Sequence, residues 1–158
     1  MIERNTGRAL GVAAALTLAL AACGDDPFGP EPTDVEFAAS LGIDLSEMTQ
    51  TASGLYIRDD IVGTGEGPAE LGDEATVPYT GWLVDGEQFD SAELVVELGV
   101  TNLIAGFTEG ILGMQVGGTR TIVIPADLAY GSQELNGIPA NAVLVFEIML
   151  TALVAAPG

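Results

Sequence analysis

The chain has 158 residues, 48% of them hydrophobic, with four basic side chains against 23 acidic ones and a formal charge of −19. That length suits one domain plus a tail and the apolar fraction can build a core, while a surface this acidic repels phosphate backbones and excludes nucleic acid as a partner. With no histidine and one cysteine, a Ser-His-Asp triad, a Cys-His pair and a His or Cys zinc site are out of reach, so no metal or cofactor is expected. Chemistry falls to carboxylates, tyrosines, backbone groups or a shaped apolar surface.

Residues 1–22 read as an export signal. Arg4 and Arg8 form a short positive region, and Ala9 to Ala22 is an uncharged apolar run too short to span a bilayer comfortably. It ends in Leu20-Ala21-Ala22-Cys23, which resembles the lipobox of bacterial lipoproteins. The resemblance implies cleavage before Cys23 and lipidation of its thiol, tethering the chain to a membrane; the alternative is an ordinary secretory signal with a chance cysteine. Gly24 follows the cysteine, and Asp25-Asp26 come one step too late for the inner-membrane retention rule. The expectation is therefore a lipid anchor in the cell envelope, in the outer membrane facing the periplasm.

Residues 23–33 are rich in proline, glycine and acid and read as a flexible tether. In 34–52, Val35, Ala38, Ala39 and Gly42 fall at helical spacing behind a cap at Thr33 or Asp34, which predicts a short helical or ordered arm docked on the domain. From Ser53 to Ala152 the texture changes to short strands and glycine turns. Gly54–Asp59 opens a strand. Glu74–Val84 alternates, with Ala75, Val77, Tyr79, Gly81 and Leu83 on one face. Asp85-Gly86 is a hairpin turn, Gln88-Phe89-Asp90 is extended, and Leu94–Leu98 is a separate short strand. Ile104–Met114 puts Phe107, Ile111 and Met114 on one helical stripe, with glycines allowing close approach. Thr119–Pro125 is a strand, Asp127–Asn141 a long loop holding Tyr130, and Val143–Leu150 a closing strand with Leu144, Phe146, Ile148 and Leu150 turned one way. Residues 153–158 are a tail. One short helix against several antiparallel strands makes the fold class α+β. The acidic pairs Asp25-Asp26 and Asp59-Asp60 lack EF-hand spacing and read as solvated surface.

Tyr79, Phe89, Phe107, Tyr130 and Phe146 are spread over separate elements. Periodicity alone allows two readings, an ordinary aromatic core or an apolar cup. The words around them bear on that choice: Val77-Pro78-Tyr79-Thr80-Gly81, Phe89-Asp90-Ser91, Leu103-Ile104-Ala105-Gly106-Phe107, Gly113-Met114-Gln115-Val116-Gly117-Gly118, Leu128-Ala129-Tyr130-Gly131, Ile138-Pro139 and Leu144-Val145-Phe146-Glu147. In that order and near that spacing, over residues 53–152, they resemble the FKBP-type peptidyl-prolyl cis-trans isomerase family.

The resemblance implies a sheet curled round a short helix with a hydrophobic pocket between them. It implies catalytic roles for Tyr79, Phe89, Asp90, Tyr130 and Phe146, with Leu103, Ile104, Phe107 and Ile138 binding substrate. Phe107 would be the floor, where many members carry tryptophan, and the Ile104 N–H and Tyr130 hydroxyl would meet substrate carbonyls. Asp90 has three open roles: holding a tyrosine hydroxyl, touching substrate, or solvating the rim. Family members often pair it with an arginine a few residues on, and Ser91-Ala92-Glu93-Leu94 has none. Pro78 stands where a histidine is common, and a proline there implies an edge or irregular strand position. The implied activity is prolyl isomerisation assisting the folding of exported polypeptides, by a monomer. A non-catalytic proline-peptide-binding or chaperone module of the envelope is the alternative.

Overall fold

The computed structural model describes residues 29–157; the export signal, Cys23 and the first part of the tether lie outside them. The strands are β1 (Thr49–Gln50), β2 (Tyr56–Ile61), β3 (Glu74–Leu83), β4 (Gln88–Glu97), β5 (Thr119–Ile124), β6 (Leu144–Met149) and β7 (Ala152–Val154), with one helix, α1 (Ala105–Ile111). They form one antiparallel sheet in the order β1-β2-β5-β6-β3-β4, and β7 pairs with the first part of β3. This is the expected curled sheet around a short helix.

Period-2 alternation explains which face each strand buries. Ala75, Val77, Leu83, Leu144, Phe146 and Ile148 all enter the main core, which α1 closes with Phe107 and Ile111. The helix lies tight on β5 because Gly106 and Gly110 face it. A Cβ at Gly106 would stand 2.4 Å from Ile124 Cγ2, and one at Gly110 2.7 Å from Ile122 Cδ1. Arg120 of β5, nearly buried, donates through Nη1 to the carbonyls of Gly110 and Leu112 at 2.9 and 3.1 Å. It thus supplies donors to the helix C-terminus, whose carbonyls have no intrahelical partner. Its Nε holds Asp59 Oδ1 of β2 at 2.7 Å.

The back of the sheet carries a second cluster in which Tyr56, Val123, Val143 and Val145 meet Val35, Phe37, Leu41, Ile43 and Leu45 of the arm, with Trp82 beside them. The arm is ordered, but as three 3-10 turns (Pro32–Asp34, Ala39–Leu41 and Leu45–Glu47) rather than one helix. Ala38 N–H is given to Val84 O at 2.7 Å, and Gly42 turns left-handed at φ +59°, so no α-helical ladder can run through. Arg58 Nη1 adds a bond to Gly42 O at 3.1 Å. Pro32 is fully buried, so docking begins inside the segment expected to be tether.

Other expectations are corrected in detail. Residues 88–97 are one strand, not two, because β4 pairs with β3 continuously from Asp90 to Glu97 and tertiary pairing overrides the weak strand propensity of Ser91-Ala92-Glu93. The helix is shorter than Ile104–Met114; Met114 is buried from the turn after it. Strands β1 and β7 were too short to announce themselves, and β7 takes in residues 153 and 154 of the expected tail. Pro78 takes the irregular one of its two expected positions rather than an edge strand. It sits where β3 changes partner from β6 to β7, an interruption in the ladder that suits a residue without an N–H.

Candidate functional site

A cavity of about 400 Å³ opens between the sheet and α1. Strand β3 supplies Tyr79, β4 supplies Phe89, Asp90 and Leu94, and β6 supplies Phe146. Ile104 and Phe107 come from the start of α1, and Ala129-Tyr130 from the loop behind the 3-10 turn Ala126–Leu128.

Two consecutive residues of one strand, Phe89 and Asp90, line the same cavity, which strict alternation would forbid. The reason is a bulge. Gly81 pairs with Asp90 but Trp82 with Gln88, leaving Phe89 as the extra residue, and the local twist brings both side chains to one side. Gly81 completes the arrangement by having no side chain. A Cβ there would lie 2.7 Å from both Phe89 Cζ and Phe146 Cε1. Phe146 is the hub of the aromatic wall, edge-on to Phe89 at 5.5 Å between centroids and to Phe107 at 5.4 Å, and tilted against Tyr79 at 5.9 Å. Tyr79 stands edge-on to Phe107 at 5.3 Å. Such edge-to-face contacts stabilise beyond area burial and fix ring orientation.

The polar atoms are few. Tyr79 Oη donates to Asp90 Oδ2 at 2.5 Å, and Asp90 Oδ1 accepts from Ser91 N at 2.9 Å. Burial pushes the Tyr79 hydroxyl up to about 12, with further contributions from the bond and the charge of Asp90. Of the three roles open to Asp90, the structure gives the first, with its second oxygen tied to the backbone. No cation joins it among the described residues, where Arg58 is paired with Asp60 and Arg120 with Asp59. Tyr130, Ile104 and Asn102 line the cavity, and no described residue bonds the Tyr130 hydroxyl, the Ile104 N–H or the Asn102 side-chain amide. These are donors left for a guest.

Of the residues expected at the site, Tyr79, Phe89, Asp90, Leu103, Ile104, Phe107, Tyr130 and Phe146 converge on the cavity. Ile138 does not: it is 4% exposed in the main core and anchors the 131–141 loop from below, pairing with Leu135. That loop is closed at its base by Asn141 N donating to Gly131 O at 2.7 Å. Cys23 lies outside the described residues. Leu94, Asn102, Ala105 and Ala129 also line the cavity and were not expected. Leu94 was legible as the second same-face position after Asp90, beyond Ala92, on a continuous strand; Asn102 carried no signal.

Comparison with known proteins agrees with the geometry. A family model described as FKBP-type peptidyl-prolyl cis-trans isomerase matches residues 65–151. The chain is 44% identical over 103 residues to an "FK506-binding protein" of Neisseria meningitidis serogroup B, covering 61% of this chain and 94% of that one. It is 42% identical over 115 residues to "FK506-binding protein 4" of Chaetomium thermophilum, covering 70% of this chain and 22% of that one. It thus spans only about a quarter of the length of several curated relatives it matches. The crystal structure of FkpA from Escherichia coli superposes with a TM-score of 0.63 at 35% identity, over 70% of this chain and 53% of that one.

Proposed function

The chain belongs to the FKBP-type peptidyl-prolyl cis-trans isomerase family, and from that premise we propose that its aromatic cavity catalyses cis-trans isomerisation of X-Pro bonds in exported, incompletely folded polypeptides. The supporting observation is an open apolar cavity, walled by four mutually oriented rings and lined also by Tyr130, whose hydroxyl no described residue bonds.

The chemistry suits a chain without histidine. Rotation about an amide breaks no bond and moves no proton; its barrier of about 18–20 kcal/mol is lost resonance. Uncatalysed X-Pro isomerisation takes tens to hundreds of seconds, roughly. The planar amide has charge separated between oxygen and nitrogen, and the twisted one has less. A cavity walled by Tyr79, Phe89, Phe107 and Phe146 solvates the twisted form better than water does relative to the planar form, which lowers the barrier by differential binding. The Ile104 N–H and Tyr130 Oη hold carbonyls on either side of the bond in the rotated geometry. Asp90 positions Tyr79 and leaves substrate to the other groups.

The same reading places the enzyme in the cell envelope. Cys23 would be lipidated after removal of residues 1–22, the domain would act as a monomer on the outer membrane facing the periplasm, and it would need no metal or cofactor.

A protease-coupled assay with a proline tetrapeptide on residues 24–158 tests the activity. Turnover is expected, with Tyr130→Phe and Phe89→Ala each lowering kcat/KM by about tenfold or more. Peptide binding without rate enhancement would instead establish a proline-binding module.

A further inference from the structure

The cavity does not end at Leu103. Asn102, Leu103 and Ala105 line both it and a second depression of about 540 Å³ that continues over the 99–103 loop and the outer side of α1. This groove has an apolar ledge made by Val100, Leu103 and Leu112, of which Val100 is 68% exposed. Its one charged lining residue is Glu109. Both carboxylate oxygens of Glu109 accept from the Ser53 hydroxyl at 2.8 Å, which fixes the group in place without neutralising it. Both arginines among the described residues are committed elsewhere, to Asp60 and Asp59.

We propose that this groove takes the stretch of client polypeptide flanking the bound proline, and that Glu109 selects a lysine or arginine on that stretch. The inference rests on the isomerase reading of the neighbouring cavity. Continuity between the two depressions fixes the occupant as the same chain. A ledge of exposed carbon beside a single carboxylate matches a side chain with an aliphatic stem and a cationic head, which buries the one and pairs the other. The chain's charge of −19 draws cationic clients from a distance. It does not choose a position for the charge, and Glu109 does.

The test uses the full chain in detergent micelles and proline peptides extended by four residues on one side or the other, carrying lysine or glutamate in the extension. At low salt the lysine peptides are expected to show a kcat/KM about threefold to fivefold above their glutamate counterparts for one direction of extension. Glu109→Gln should remove at least half of that preference and Glu109→Asp should keep most of it. Glu36→Gln, which removes the same charge from the arm behind the sheet, should leave it intact. A preference that survives Glu109→Gln, or falls equally with Glu36→Gln, overturns the assignment. Turnover of the unextended peptide separates the two claims. If it is present without any charge preference, only the groove assignment fails; if it is absent, the isomerase reading falls first.

Discussion

Tyr79 and Asp90 meet diagonally across the β3–β4 ladder with 2.5 Å between hydroxyl and carboxylate, Asp90 standing opposite Gly81 at the edge of the bulge that makes room for Phe89. A phenol held by burial and by an anion resists ionisation, and Tyr79 is accordingly pushed up to about 12 from the usual 10.0. Ultraviolet titration should find Tyr79 ionising late, and Asp90→Asn should move it part of the way back, since burial remains. The sign for stability follows from linkage. The unfolded tyrosine loses its proton first, so the contribution of Tyr79 is full below pH 10 and is lost as the pH rises towards 12. Asp90→Asn should flatten that loss in denaturation midpoints measured across the window.

Gly81 is required by space. In Gly81→Ala the new methyl meets two ring edges at 2.7 Å, and neither Phe89 nor Phe146 can retreat without breaking its contact with the other. Overpacking of this kind costs about 1–3 kcal/mol. Urea denaturation should show a loss in that range, and kcat/KM should fall further than the stability loss explains, because both displaced rings are walls of the cavity. Near-normal turnover would mean that the wall tolerates reorientation.

Arg120 joins the helix to the sheet. Arg120→Met keeps the packed stem but strands two carbonyls at the end of α1 and leaves Asp59, which is 44% exposed at the side chain, without its cation. The expected loss is about 2–3 kcal/mol, mostly from the carbonyls. Adding Asp59→Asn should recover little of it, since the exposed carboxylate is solvated anyway. A double-mutant cycle by thermal denaturation measures that split.

The arm's grip on the sheet can be read optically. Trp82 is the single tryptophan, and it lies in the cluster that Phe37 and Leu41 help to cover. Phe37→Ala should shift its emission to the red and cost about 1–3 kcal/mol, somewhat less than a fully buried phenylalanine. Isomerase turnover should stay within about twofold, because the arm and the cavity lie on opposite faces. An unchanged spectrum would show that the arm leaves Trp82 uncovered.

Much of this was legible in the sequence because β3 and β6 each carry an alternation that holds along the strand. Ala75, Val77, Tyr79, Gly81 and Leu83 fall on one face in the chain and in space alike, and so do Leu144, Phe146, Ile148 and Leu150. The aromatic cavity followed from five residues embedded in recognisable words. What escaped depends on contacts distant in the chain. The turns of the arm are set by a bond from Ala38 to Val84, and nothing in residues 34–48 announces it. Ile138 sat beside Pro139 in a word that resembled a substrate wall, but its side chain goes down into the core, since the exposed 132–137 tip needs an anchor. The bulge at Phe89 was equally hidden, for register is a property of two strands and the sequence displays one at a time.

Strand β3 has no spare side. Tyr79 and Gly81 form one row against the cavity, while Trp82 one step on belongs to the cluster behind. Losing or gaining a single codon within β3 would exchange the rows, throwing the indole into the aromatic cavity and the phenol onto the arm. Length drift in such a gene is confined to places like residues 132–137, so the cavity-lining half of the strand can be edited letter by letter but not respaced.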